Sequence, residues 1–150
     1  MSGATFVIDA NIAVKMLHAE PDTDQARLFF RACAGQGLRL LVPGLFLYEV
    51  VNVCQRVGVP IDDVLGFYET LRASVLTVVE PGREVWLKAA GMARQGHPNS
   101  GFPSIYDAIY HALALDAGGT FLTADKRHVA KTRQHGAVML LSDWREDTAG

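Results

Sequence analysis

The sequence predicts an α/β protein, a three-layer α/β/α sandwich built around a parallel sheet. Short β-branched or leucine-rich runs recur at 5–8, 39–42, 75–79, 120–123 and 137–141. Each run is apolar throughout rather than alternating, which is the pattern of strands buried on both faces. Segments of helical length separate the runs, and such alternation builds a parallel sheet covered by helices.

The elements follow in order. The first strand, 5–8, ends at Asp9 and is followed by helical segments 11–18 and 23–34. The second, 39–42, precedes helices 44–57 and 61–73, which Gly58-Val59-Pro60 divides. The third, 75–79, precedes helices 83–95 and 104–117, divided by the turn-rich Gly96-His97-Pro98-Asn99-Ser100-Gly101. Ser104 with Asp107 three residues on fits a capping box at the start of the later helix. Gly118-Gly119 turns the chain into the fourth strand, 120–123, and helix 125–134 leads to the fifth, 137–141. The 150 residues read as one domain with a core over about 5–141 and a tail over 142–150, frayed from 144.

Composition narrows the function. A chain that is 49% hydrophobic and 20% charged can bury a full core and does not read as disordered. No apolar run reaches membrane-span length, and no basic region precedes an apolar core at the N-terminus. A cytoplasmic protein with no membrane partner is expected. Cys33 and Cys54 lack metal-motif spacing and read as reduced core thiols. A net charge of −2 gives no global attraction for nucleic acid, so any such contact needs a local patch. The phosphate loop, dinucleotide fingerprint, serine nucleophile elbow and H-E-x-x-H zinc motif are all missing.

The informative feature is four acids in four apolar segments. Asp9 ends Thr5-Phe6-Val7-Ile8, Glu49 interrupts Leu45-Phe46-Leu47-Tyr48, Asp107 lies in Ile105-Tyr106-Asp107-Ala108-Ile109, and Asp125 closes Phe121-Leu122-Thr123-Ala124. Carboxylates among such neighbours need a partner, and no Lys or Arg lies within those runs. Asp9 and Asp125 fall at the C-terminal ends of strands, the sheet edge that carries ligand sites in open parallel folds. If the fold gathers the four acids, they repel one another and call for a divalent cation, with Mg²⁺ or Mn²⁺ suited to carboxylates and water.

Each acid also has a plain structural explanation. Asp9 and Asp125 could be helix N-caps, Asp107 could belong to the capping box, and Glu49 could point to solvent. Jointly these fare worse, because Glu49 has no capping role and few polar neighbours. Asp116 is a control, since nine residues beyond Asp107 it lies on the opposite side of the helix. His111 shares the Asp107 face and reads as structural. Asn11 could hydrogen-bond a metal-bound water or simply start a helix, and Thr123 could orient a carboxylate or merely favour a strand. Lys126, Arg127, His128, Lys131 and Arg133 follow Asp125 directly; the cluster is a solvated helix face or a seat for a polyanionic backbone.

Val7-Ile8-Asp9-Ala10-Asn11, Tyr48-Glu49-Val50-Val51-Asn52, Tyr106-Asp107-Ala108-Ile109-Tyr110-His111 and Phe121-Leu122-Thr123-Ala124-Asp125 resemble, in that order, the PIN-domain family. The resemblance is strongest to the VapC-type toxins of toxin–antitoxin pairs and runs over residues 5–141. It implies a five-stranded parallel sheet and Mg²⁺- or Mn²⁺-dependent endoribonuclease activity leaving 5′-phosphate and 3′-hydroxyl ends. It assigns the acidic quartet to Asp9, Glu49, Asp107 and Asp125, with auxiliary roles at Asn11 and Thr123. RNA contacts are expected from Lys126, Arg127 and Lys131. A small antitoxin and a second copy of the chain are the expected partners, the latter motivated by an apolar surplus on 11–18 and 44–57. The segment Gly96–Pro103 is longer and richer in turn residues than the family pattern, with consequences for substrate access. A non-catalytic binding module and a DNA-directed nuclease of the same fold stay open.

Overall fold

The structure, a computed structural model, describes residues 3–146. Five strands form one parallel sheet: β1 (Thr5–Ile8), β2 (Arg39–Val42), β3 (Leu76–Val78), β4 (Thr120–Thr123) and β5 (Val138–Leu140). Their order is β3-β2-β1-β4-β5. Seven α-helices connect them: α1 (Ala10–Leu17), α2 (Thr23–Gln36), α3 (Leu45–Val57), α4 (Ile61–Ser74), α5 (Arg83–Ala93), α6 (Ile105–Asp116) and α7 (Lys126–Thr132). The expected architecture is therefore present, with element ends moved by a residue or two. Segment 125–134 differs more, because α7 gives way to a 3₁₀ turn at Arg133–His135.

Central burial explains the unbroken apolar runs. Val7 and Ile8 of β1, Leu40 and Val42 of β2, and Phe121 and Leu122 of β4 are all inaccessible to solvent. Successive strand residues point to opposite faces, so a strand covered on both sides has no polar position to spare. From β1 the chain winds outward through β2 to β3, then returns to place β4 on the other side of β1. The winding direction thus reverses between β1 and β4, where a crevice opens beyond the strand ends. The register pairs Ile8 with Leu122, and the Asp9 amide donates to the Leu122 carbonyl at 3.0 Å. Asp9 and Thr123 consequently leave the sheet side by side.

Two expectations need correction. Packing continues past residue 141: Trp144 is buried edge-on to Phe29 at 5.3 Å, and Gln25 Nε2 donates to the carbonyls of Leu141 and Trp144 at 3.1 and 2.6 Å. The tail is thus anchored through Trp144, and residues 147–150 lie outside the described residues. Of the apolar surplus expected on Ile12, Val14, Met16, Leu17, Leu45, Phe46, Leu47, Val50, Val51 and Val53, Ile12, Val14, Phe46 and Val50 are buried and the other six are partly buried. Helices α1 and α3 pack against each other and cover part of those faces. Among the large exposed apolar side chains, Tyr48 lies on α3 itself, and Trp86, Leu87, Phe102 and Tyr106 lie on or beside α5 and α6.

Candidate active site

The sheet edge beyond β1 and β4 gathers the acids. Asp9 occupies the N-cap position of α1 but makes no side-chain cap bond. Its Oδ2 instead accepts the Thr123 hydroxyl at 2.8 Å. That hydroxyl oxygen also receives the Asp125 amide at 3.0 Å and the Asn11 side-chain amide at 3.5 Å. Asn11 Oδ1 in turn accepts the Ala124 amide at 3.3 Å. Asn11 and Thr123 therefore tie the start of α1 to the end of β4 and fix Asp9 against Asp125.

The remaining acids arrive on helices. Glu49, one turn into α3, is partly buried, and its Oε1 accepts the Tyr110 hydroxyl at 2.5 Å, so it does not simply point to solvent. Asp107 sits in the first turn of α6, where its amide donates to Ser104 Oγ at 3.1 Å, as a capping box requires. Its carboxylate lies with the other acids. Asp125 does cap α7, since Oδ1 accepts the amides of Arg127 and His128 at 2.9 and 3.3 Å. The capping explanation thus holds for one oxygen of Asp125 and fails for Asp9.

Electrostatics links all four carboxylates. Burial pushes the Asp9 carboxyl up to about 7, the charges of Asp107 and Glu49 push the same way, and the Thr123 hydroxyl opposes them. Glu49 is raised by burial and by Asp107, against the Tyr110 hydrogen bond. Asp107 is raised by burial and then by Asp125, against the Ser104 hydrogen bond and the charge of Lys131. The one buried lysine nearby, Lys15, is held by Glu20 at 2.6 Å and Asp22 at 2.9 Å, so its charge is spent away from the acids.

The PIN domain family model matches residues 6–134. The chain belongs to the PIN domain family. Solved structures share its fold. VapC20 of Mycobacterium tuberculosis, a toxin that cleaves the sarcin–ricin loop, superimposes with a TM-score of 0.64 at 11% identity, over 83% of this chain and 94% of that one. VapBC2 of Rickettsia felis, solved on a DNA fragment from its promoter, gives 0.67 at 10% identity, over 91% and 96%. PAE2754 of Pyrobaculum aerophilum gives 0.60 at 19% identity, over 95% and 93%. No curated protein sequence matches the chain.

The donor set of this PIN domain suits a hard cation: four carboxylates coupled by repulsion, none of them in an ion pair with Lys or Arg among the described residues, although the charge of Lys131 reaches Asp107. Among the described residues no three acidic, histidine or cysteine side chains are drawn close enough to hold an ion outright. A bound ion would have to tighten the cluster.

The other expected site residues separate clearly. Lys126 and Arg127 are exposed and Lys131 partly so, and with Asn99 and Ser100 they line a groove of about 500 Å³. The turn-rich segment supplies the facing wall, closed by a bridge between His97 and Gly101 and by the Asn99 amide on His97 Nδ1 at 3.1 Å. His128 leaves the basic cluster, because its side chain is buried. His111 is structural: it is buried and its Nε2 lies 2.6 Å from the Gly136 carbonyl. Asp116 is exposed and outside the site. Sequence reading missed Tyr110, the partner of Glu49, whose ring stacks on Phe121 at 5.6 Å. Its position three residues after Asp107, on the same helix face, was the available signal.

Proposed function

We propose that the chain is a Mg²⁺- or Mn²⁺-dependent endoribonuclease and the toxin of a toxin–antitoxin pair. The observation that carries the reading is the coupling of Asp9, Glu49, Asp107 and Asp125 at the switch point of a PIN-family sheet, which the charge of Lys131 offsets only at Asp107. When bound there, a divalent ion lowers the pKa of an attacking water and neutralises the scissile phosphate. The four acids hold it. Thr123 and Asn11 keep Asp9 in register, and Tyr110 fixes one oxygen of Glu49. Asp9 or Asp125 is placed to orient the nucleophile for in-line attack, and Lys126, Arg127 and Lys131 take flanking phosphates.

Support for RNA as substrate and for an antitoxin comes from the structural relatives: VapC20 is a sarcin–ricin-loop cleaving toxin, and a Klebsiella pneumoniae relative was solved as a toxin–antitoxin complex. A homodimer would use the exposed Trp86, Leu87 and Tyr106 together with Tyr48 of α3. No helix among the described residues is long and apolar enough to cross a membrane. The test is cleavage of single-stranded RNA, structured RNA and DNA side by side, with and without Mg²⁺. Metal-dependent cutting of RNA alone supports the reading. Cutting of DNA alone favours the DNA-directed alternative, and no cutting by folded, metal-loaded protein favours a binding module.

A further inference from the structure

Beneath the acids lies a buried histidine that the reaction scheme leaves unused. His128 is 1% exposed, and neither of its ring nitrogens has a hydrogen-bond partner. Buried polar nitrogens without partners are rare in folded proteins and call for an explanation. The ring cannot easily swing away to find one. Phe121 packs against it at 5.3 Å and His111 at 5.5 Å, both edge-on. The backbone is fixed as well, since the His128 amide donates to Asp125 Oδ1 at 3.3 Å and its carbonyl accepts the Thr132 hydroxyl at 2.7 Å.

The charges of Asp125, Lys131 and His135 reach this ring, and Asp107 Oδ2 lies 3.9 Å from His128 Nδ1. That is too long for a hydrogen bond and short enough for one to form by a small rotation of the carboxylate. The ring is fixed and Asp107 is partly exposed, so Asp107 is the group that moves. His128 therefore bridges two acids, with its main chain on Asp125 and its side chain toward Asp107.

Resting on the acidic-site reading above, we propose that His128 is a positioning residue for the metal. In its neutral Nδ1–H tautomer it donates to Asp107 Oδ2 as the cluster tightens and turns Oδ1 toward the ion. Partners one step removed from a metal commonly orient its ligands in this way, and their loss costs about 10–100-fold in metal affinity. The same step relieves an orphaned nitrogen and orders an acid, so the site is primed for an ion although no three ligands are yet in place.

The experiment uses the full chain and two readouts. Long-range ¹⁵N–¹H correlation spectra report the His128 tautomer without metal and with Mg²⁺. The Nδ1–H form is expected in both, and an Nε2–H form overturns the proposal. Mn²⁺ titration calorimetry compares the parent with His128→Phe, which fills the volume and donates nothing, and His128→Asn, whose amide nitrogen can occupy the Nδ1 position. We expect His128→Phe to bind Mn²⁺ at least about tenfold more weakly and His128→Asn to regain most of the difference. Parent-like affinity in folded His128→Phe overturns the assignment, as does an equal loss in both variants. If His128→Phe does not fold, the tautomer and His128→Asn decide. Asp107→Asn separates the two levels of inference. If it binds Mn²⁺ as tightly as the parent, the acidic site itself is wrong. If it loses binding while His128→Phe keeps it, only the role of His128 falls.

Discussion

Asp9 carries most of the tension in the site. Its carboxyl is raised to about 7 by burial and by two neighbouring carboxylates, so its charged form is disfavoured in the folded chain. Between the ordinary Asp range and pH 7 the native state holds a proton that the unfolded chain has released. Native stability of the metal-free protein should therefore fall as pH rises through that window. Thermal melts from pH 5 to 8 should show this decline, and Asp9→Asn should flatten it. Mn²⁺ must displace the same proton, so its affinity should rise by roughly tenfold per pH unit below 7 and level off above it. The Asp9→Asn protein should stay folded and lose metal-dependent cleavage; undiminished cutting would remove Asp9 from the reaction. Tyr110→Phe leaves Glu49 without its donor and should cost about 1–3 kcal/mol of stability. Denaturant melts check that figure, and an unchanged midpoint would mean that water replaces the hydroxyl.

At the scale of elements, β4 and α7 decide whether the site exists. Gly119 opens the turn into β4 where a Cβ would lie 2.5 Å from the Thr5 carbonyl oxygen. Gly119→Ala must push β4 from β1, at about 1–3 kcal/mol for overpacking, and it disturbs the strand that presents Thr123 and Asp125. A lowered melting temperature together with weakened Mn²⁺ binding is the expected pair of effects. On α7, reversing Lys126, Arg127 and Lys131 should flatten the salt dependence of RNA binding by roughly 0.7–0.9 in log–log slope per lost phosphate contact. An unchanged slope returns that face to solvent. The elements were largely legible in the sequence because strands buried on both sides spell themselves out as unbroken apolar runs. The acids were legible for the same reason: a carboxylate stands out in such a run. His128 was not, because its place in the chain, between Arg127 and Lys131, says charged surface while the short α7 turns it inward against Phe121. Trp144 was missed because a lone aromatic after the final strand has no periodicity to mark it as packed.

Over the whole molecule, several of the exposed apolar residues gather around α5 and the start of α6. Trp86 and Leu87 on α5 and Tyr106 at the start of α6 are each about half exposed or more. With Pro43, Leu45, Glu80, Pro81, Ile105 and Ile109, Trp86 and Tyr106 line a small, mostly apolar groove. Contiguous exposed apolar surface usually marks an interface. Trp86→Glu should therefore convert a dimer to a monomer in light scattering without lowering the melting temperature of the monomer. A parent chain that is already monomeric at tens of micromolar would refute a self-associating face. Mn²⁺ at millimolar concentration should raise the melting temperature of the parent, because a ligand specific to the native state stabilises it by mass action. An equal shift in an Asp107→Asn/Asp125→Asn protein would place that ion elsewhere.

The strand order has a consequence for the cell that makes this protein. Asp9 and Asp125 leave adjacent strands only because β4 lies beside β1, although β2 and β3 come between them in the chain. During synthesis Asp9 and Glu49 leave the ribosome well before β4 and Asp125, which complete the quartet. Contacts between such distant parts of a chain are among the slowest to form. A chain in which β4 has not yet paired with β1 thus carries Asp9, Glu49 and Asp107 without Asp125 in its place beside them, so the complete quartet waits on that long-range pairing.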